Sequence, residues 1–155
     1  MAGRFFDDWQ VGKRIDHEIR RTVTETDNLL FSCMTHNPQP LHLDAEAAAA
    51  SEFGRILVNG TFTFSLMIGL SVGDTTLGTL IANLGYDKLV MPAPVFIGDT
   101  MRASSEVTEL RASRSRPDAG LVTFRHQLHN QRDQLVCECL RTALLRRRPE
   151  GEMSA

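Results

Sequence analysis

Residues 60–72 read Gly-Thr-Phe-Thr-Phe-Ser-Leu-Met-Ile-Gly-Leu-Ser-Val, a stretch that is apolar almost all round. Its first residues alternate as a strand would, so periodicity alone does not separate a helix from a strand. The length of the stretch, its small polar residues and the glycine at its start favour a fully buried helix. A helix that is apolar on every side has to be covered by the rest of the chain, and we expect a curved sheet to cover it.

The segments after this stretch alternate between apolar and polar residues, which is the pattern of strands with one buried face. Four strands are predicted there, beginning near Leu80, Met101, Val122 and Leu135. Another strand is predicted at 15–23, before the helix. Long antiparallel strands wrapped around one apolar helix make an α+β fold. We therefore predict a single domain over residues 1–148, followed by a disordered tail at 149–155.

The composition is that of an ordinary globular protein, since 42% of the 155 residues are hydrophobic and 23% are charged. A formal net charge of -2 means that the chain has no excess of positive charge with which to bind a nucleic acid. No run of about 18 apolar residues is present, so no membrane span is expected. Residues 1–8 hold no apolar signal core, and the odd number of cysteines argues against a disulfide framework. We therefore expect a cytoplasmic protein.

Cys137 and Cys139 alternate along a predicted strand and so share one face. We interpret them as a buried apolar pair and not as a metal site, because no second pair of ligands has suitable spacing. Among the histidines, His126 is predicted to be a hydrogen-bonded core or interface residue, and His17 a solvated strand residue. We expect neither a metal nor a cofactor.

Residues 37–44 read Asn-Pro-Gln-Pro-Leu-His-Leu-Asp, and this loop carries the first candidate site residues. Two prolines within four residues predict an extended or turn backbone and no helix. Side chains on such a stiff loop lose little freedom on meeting a substrate, so Asn37 and His42 are predicted to be a positioned pair. Histidine titrates near neutral pH, which indicates acid–base chemistry. Asp44 is predicted to cap the helix that follows.

Gly60 stands at the predicted N-terminus of the buried helix. Backbone N–H groups have no intrahelical partner at that position, and the helix dipole is positive there. Because glycine has no Cβ, a ligand atom can approach its N–H closely. Such a terminus can bind a thioester oxygen as it becomes an enolate-like oxyanion. A histidine on a rigid loop, an amide and an oxyanion donor are the groups needed to add water next to a thioester.

Residues 35–42, Thr-His-Asn-Pro-Gln-Pro-Leu-His, resemble the signature of the MaoC-like (R)-specific enoyl-CoA hydratases, which have the hot-dog fold. The Asn59-Gly60 pair stands where that family has His-Gly before its central helix. Residues 94–100, Pro-Val-Phe-Ile-Gly-Asp-Thr, resemble a turn of the family. The resemblance covers roughly residues 6–148. It implies a hot-dog domain, an acyl-CoA substrate, no cofactor, and a homodimer or a dimer-based higher homo-oligomer.

The resemblance also implies roles for single residues. His42 aligns with the family's catalytic histidine, and Gly60 inherits the oxyanion role. Asn37 stands where the family has a catalytic aspartate, and an amide cannot abstract a proton. We therefore expect His42 to be the principal base and Asn37 to orient water. Gln39 and Asn59 occupy further motif positions and are expected to contact the substrate.

The wider pattern resembles the subgroup of mesaconyl-CoA and itaconyl-CoA hydratases, whose substrates carry a second carboxylate. Arg55 and Lys88 are candidates to bind that carboxylate, although nothing in the sequence positions them. The leading interpretation is a hydro-lyase that adds water across the 2,3 double bond of a 2-enoyl-CoA, or catalyses the reverse dehydration. A hot-dog acyl-CoA thioesterase is the alternative, but the sequence has no carboxylate between Gly60 and Asp74. A non-catalytic acyl-CoA binder also remains open, because Asn37 replaces the aspartate.

Overall fold

The computed structural model describes residues 3–149. The chain starts with a short 3-10 turn and continues with four helices and five strands. In order they are Phe6–Asp8 (the 3-10 turn), β1 (Arg14–Thr22), α1 (Glu25–Met34), α2 (Pro40–Leu43), α3 (Ala45–Ala49), α4 (Gly60–Thr75), β2 (Leu80–Val90), β3 (Thr100–Ala112), β4 (Ala119–His129) and β5 (Leu135–Arg146). The strands form one antiparallel sheet in the order β1-β3-β4-β5-β2. The predicted α+β class is confirmed.

The main core lies between α4 and the inner face of the sheet. From α4, Met67 and Leu70 are buried against side chains of β3, β4 and β5. Cys137 and Cys139 belong to this cluster and are fully buried, which confirms their interpretation as an apolar pair. Burial raises the pKa of both thiols, to about 11 and about 12, so they stay protonated near neutral pH. Within residues 3–149, no three His, Cys, Asp or Glu side chains are grouped to hold a metal ion.

The loop that carries His42 contains a helical turn, contrary to the prediction from its prolines. Pro40 is the first residue of α2, where its missing N–H has no role in the helix and its fixed φ suits the helical backbone. The chain bends at Asp44, whose Oδ1 accepts hydrogen bonds from the N–H groups of Glu46 and Ala47 at 2.9 and 3.1 Å. Asp44 therefore caps α3 as predicted.

The prediction of a solvated His17 is wrong. Its side chain is buried, with Nδ1 2.8 Å from Asp74 Oδ2 and Nε2 2.8 Å from Ser105 Oγ. His17 shares a face of β1 with the half-buried Ile15, and its polar ring can be buried there because Asp74 and Ser105, 57 and 88 residues away in the sequence, bind both nitrogens. The network continues from Ser105 Oγ to His126 Nδ1 at 2.6 Å, so His126 is the hydrogen-bonded core residue that was predicted.

Most of the predicted disordered tail falls on residues 150–155, which lie outside the described residues. In the part of the chain that the structure describes, no helix is long and apolar enough to cross a membrane.

Candidate active site

A cavity of about 260 Å³ lies at the N-terminus of α4. Its side chains are apolar except for the hydroxyl of Thr63. Exposed residues near the end of β2, Met91 and Pro92, form part of the wall, so the cavity reaches the protein surface. The full lining is Phe53, Leu57, Val58, Gly60, Thr63, Met91, Pro92, Ala93, Pro94, Val95 and Val136.

Gly60 begins α4 and lines this cavity, as the sequence predicted for the oxyanion donor. A Cβ at this position would lie 2.7 Å from the Met91 sulfur, closer than real Cβ atoms approach other atoms. Within residues 3–149, the N–H of Gly60 has no backbone or side-chain acceptor. The first N–H groups of a helix are unpaired within the helix, so this one is free to meet an oxygen atom in the cavity.

Asn59 is the N-cap of α4 and is itself buried. Its Oδ1 accepts hydrogen bonds from the N–H and the hydroxyl of Thr61 at 3.0 and 2.6 Å. Its Nδ2 donates to Ser32 Oγ at 3.2 Å. Both ends of the amide are therefore occupied inside the protein, and Asn59 is not among the residues that line the cavity. Asn59 therefore caps α4, and its expected contact with substrate stays a prediction.

His42 lies in α2 with its ring fixed by one backbone contact. The Nδ1 atom is 2.8 Å from the carbonyl oxygen of Leu57, a residue of the cavity wall. A carbonyl oxygen only accepts, so Nδ1 is the donor, and in the neutral imidazole the lone pair is then on Nε2. Leu57 N–H in turn donates to the Leu41 carbonyl at 2.9 Å, which joins the α2 turn to the wall. His42 is half-buried and does not itself line the cavity, but its ring is bound to a residue of the cavity wall.

Asn28, on α1, was missed by the sequence analysis. It is 2% exposed. Its Nδ2 donates to the backbone carbonyl of His42 at 2.8 Å, and its Oδ1 accepts from the N–H of Asn59 at 2.9 Å. One amide therefore fixes the α2 turn relative to the start of α4. An asparagine inside a helix is the only signal in the sequence, because its partners are 14 and 31 residues away.

Asn37 is half-buried at the start of the proline loop. Its Oδ1 accepts a hydrogen bond from the N–H of Gln39 at 3.1 Å, a turn that asparagine often makes. Its Nδ2 has no partner within residues 3–149 and is the atom left to bind a ligand. The Gln39 side chain is exposed. Neither residue lines the cavity.

The two cations proposed for a substrate carboxylate lie in different places. The Cζ atom of Arg55 is 3.8 Å from the centre of the Phe96 ring, at the edge of the cavity wall. Lys88 lines a separate depression together with Arg125 and Glu138. The register of β2 shifts between Asp87 and Val90, and Lys88 has a φ of 50° in this irregular segment. The structure therefore does not bring Lys88 to the cavity.

The two carboxylates that the sequence analysis weighed, Asp44 and Asp74, are engaged outside this cavity. Asp44 caps α3, and Asp74 lies near the C-terminal end of α4, bound to His17. None of the residues that line the cavity is acidic. The arrangement offers one imidazole base, one free backbone N–H and an apolar chamber. These groups can stabilise an oxyanion and transfer a proton.

Solved structures share this fold. A monoamine oxidase regulatory protein from Archaeoglobus is 34% identical, with a TM-score of 0.84 over 96% of this chain and 98% of that chain. A Mycobacterium tuberculosis protein described as having a double hot-dog fold is 27% identical, with a TM-score of 0.87 over 99% of this chain and 47% of that one. The predicted hot-dog fold is thus confirmed.

Among curated proteins, the mesaconyl-CoA hydratase of Cereibacter sphaeroides is 34% identical over 147 residues, which cover 95% of this chain. The chain spans only 42% of the length of that relative. The family model of the MaoC-like domain matches residues 8–128, which is most of the described chain. The chain therefore belongs to the MaoC-like domain family.

Proposed function

We propose that this protein is a hydro-lyase that adds water across the 2,3 double bond of a 2-enoyl-CoA, or removes it from the matching 3-hydroxyacyl-CoA. The observation that carries the proposal is the ring of His42. Its Nδ1 donates to the carbonyl oxygen of Leu57, and Leu57 lines the same cavity as Gly60, whose N–H is free. Base and oxyanion donor belong to different elements, which Asn28 holds together.

In the proposed reaction the thioester oxygen of the substrate accepts a hydrogen bond from Gly60 N–H. His42 Nε2 removes a proton from water as the water oxygen bonds to C3, and the π electrons of the double bond form the enolate. The imidazolium of His42 then gives the proton to C2, which completes the addition. Asn37 Nδ2 donates a hydrogen bond that orients the water. A positioned base contributes about 10²–10⁴-fold in rate, and an oxyanion donor about 10²–10³-fold.

The substrate we propose is a short, dicarboxylic acyl-CoA such as mesaconyl- or itaconyl-CoA. The relative from Cereibacter sphaeroides is named a mesaconyl-CoA hydratase, which supports this choice. The cavity volume of about 260 Å³ also supports a short acyl group. An apolar protein cavity of about 150 Å³ holds benzene, so this cavity has room for five carbon atoms.

A thioesterase is the weaker alternative. Hot-dog thioesterases usually rely on a carboxylate near the central helix, and here no acidic residue lines the cavity. Asp74, the first carboxylate after Gly60, is engaged with His17 at the other end of α4. A non-catalytic acyl-CoA binder is the other alternative, motivated by Asn37 in place of the family's aspartate.

We also propose that the protein forms a homodimer, or a higher oligomer built from it, in the cytoplasm. The edge strand β2 exposes large apolar side chains, which a second copy would cover. They are Leu84, Tyr86, Leu89 and Val90. The double hot-dog fold of the Mycobacterium tuberculosis protein supports a pairing of two such domains. The cysteines are all free, which suits a reducing compartment.

The test incubates the purified protein with crotonyl-, mesaconyl- and itaconyl-CoA and follows the loss of the conjugated-thioester absorbance. His42→Ala should lower turnover about 10²–10⁴-fold while the unfolding midpoint stays near that of the wild type. His36→Asn is the matched control. His36 is an exposed histidine of the same loop with a φ of 52°, a conformation that asparagine tolerates. Near-normal turnover of His42→Ala would remove His42 from the mechanism.

The same assay separates the alternatives. Release of free CoA thiol without loss of the double bond would identify a thioesterase. Binding of the acyl-CoA without either reaction would identify a binder.

A further inference from the structure

Arg55 is a cation held in a fixed position without an anionic partner. Its guanidinium lies 3.8 Å above the centre of the Phe96 ring. Within residues 3–149 it forms no ion pair and no hydrogen bond to another side chain. Exposed arginines usually sample many rotamers, but stacking on an aromatic face restricts the planar guanidinium and leaves its N–H groups directed outward.

The backbone places this cation at the rim of the cavity. Arg55 follows Gly54, whose φ of +67° turns the chain in a way that side chains rarely permit. Phe53 and Leu57, two residues to either side, line the cavity. Leu57 also forms an isolated antiparallel bridge with Phe96, so the backbone that carries the ring beneath Arg55 lies beside a residue of the cavity wall.

The interior of the cavity cannot hold a second charge. Its lining has one hydroxyl, from Thr63, and no cationic side chain. An unpaired carboxylate buried there would lose its hydration without a compensating partner, which weakens binding strongly. An acyl group with a second carboxylate therefore has to place it at the rim, where a guanidinium can bind both oxygens.

We propose that Arg55, held flat by Phe96, binds the second carboxylate of a dicarboxylic acyl group at the rim of the cavity. The inference rests on the proposed function, because it assumes that the acyl group enters this cavity. A guanidinium would also bind a phosphate group of CoA. The shared chemistry is an anion, and the experiment has to separate its two sources. Phe96 is a positioning residue in this proposal.

The experiment compares kcat/KM for mesaconyl-CoA and for crotonyl-CoA, which is similar in size but lacks the second carboxylate. A hydrogen-bonded charge contributes about 1.5–3 kcal/mol, so Arg55→Ala should lower kcat/KM for mesaconyl-CoA about 10- to 100-fold. The value for crotonyl-CoA should change less than about threefold, within the spread of surface substitutions. Arg55→Lys should recover part of the loss, because lysine keeps the charge but not the planar fork.

Two further variants sharpen the comparison. Arg20→Ala removes another exposed arginine, on β1, which lies at the opposite edge of the sheet from β2. It should leave both values unchanged. Phe96→Leu should lower the ratio of the mesaconyl-CoA value to the crotonyl-CoA value, because Arg55 loses its support. A merely structural role of Phe96 would lower both values equally.

Several outcomes would overturn the proposal. An unchanged kcat/KM of Arg55→Ala for mesaconyl-CoA would do so. A wild-type kcat/KM that is tenfold higher for crotonyl-CoA than for mesaconyl-CoA would also do so. An equal loss on both CoA esters that is absent with crotonyl-pantetheine, which lacks the nucleotide phosphates, would assign Arg55 to CoA instead.

A failure of the proposed function remains distinguishable. If the wild type hydrates no enoyl-CoA, calorimetry of the two esters decides the role of Arg55 without turnover. Tighter binding of mesaconyl-CoA that Arg55→Ala abolishes would support the proposal, and equal affinities would contradict it.

Discussion

Gly60→Ala tests whether the start of α4 is a binding site or only a packing contact. The new Cβ would lie 2.7 Å from the Met91 sulfur, and ordinary contact begins near 3.4 Å. The sulfur therefore has to retreat by roughly 0.7 Å to reach ordinary contact distance. Met91 is 41% exposed and flexible, so it can move at little cost. Alanine also favours a helix over glycine by up to about 1 kcal/mol, so the free energy of unfolding should change by less than that.

Turnover should respond far more strongly than stability. The methyl group would lie beside the N–H that, in the proposed reaction, donates a hydrogen bond to the thioester oxygen. It would also fill part of the cavity. Loss of one oxyanion donor lowers kcat about 10²–10³-fold. We therefore expect Gly60→Ala to fold normally and to lose turnover on that scale. The measurements are steady-state hydration of an enoyl-CoA and urea unfolding followed by fluorescence.

The double variant Gly60→Ala/Met91→Ala provides the control. It removes the sulfur that the new methyl group meets, so any effect of crowding against Met91 disappears. Turnover should stay low in this variant, because the methyl group still blocks the N–H. If the turnover of the double variant instead equalled that of the single variant Met91→Ala, Gly60 would only make room for Met91. Near-normal turnover of Gly60→Ala itself would refute the oxyanion role.

Three further predictions follow from single features. Asn37→Ala should impair hydration strongly and Asn37→Asp should retain some activity; full activity of the alanine variant would make the position structural. Burial, with nearby Arg141 and His17, lowers the pKa of His126 from its ordinary value of 6.5 to about 3, so the unfolded state binds the proton first. Stability present above pH 6.5 is then lost as the pH falls towards 3. This loss is about 2 kcal/mol between pH 8 and pH 5. For His126→Asn, the free energy of unfolding should fall less over the same pH range, as measured by urea unfolding followed by Trp9 fluorescence. Light scattering at micromolar concentration should give a dimer or a multiple of it, and a monomer would contradict the assembly.

Most of the fold could be predicted because the spacing of apolar residues along the sequence indicates helices and strands directly. The apolar stretch 60–72 lies within α4, and the four alternating segments after it correspond to β2–β5. Gly60 at the start of the helix follows from the same boundary. Side chains that repeat every two residues, such as Cys137 and Cys139, share a face in any regular strand. Such patterns depend only on local sequence.

The errors concern features that local patterns do not encode. His17 can be buried because Asp74 and Ser105, which only the folded chain brings to it, bind both ring nitrogens. Pro40 starts a helical turn because the first helical residue needs no N–H, an exception to the rule that proline breaks helices. Asn28 joins His42 and Asn59, partners that only the folded chain brings together. The position of Arg55 over Phe96 is of the same kind.

The groups that stabilise the fold and the groups proposed to react lie at opposite ends of α4. Near the C-terminal end, Asp74 accepts a hydrogen bond from His17 within a buried network. At the N-terminal end, no acidic side chain is found among the residues that line the cavity. Asn37, a neutral amide where the family has a catalytic aspartate, cannot take up a proton. The proton in both halves of the proposed reaction is therefore carried by His42.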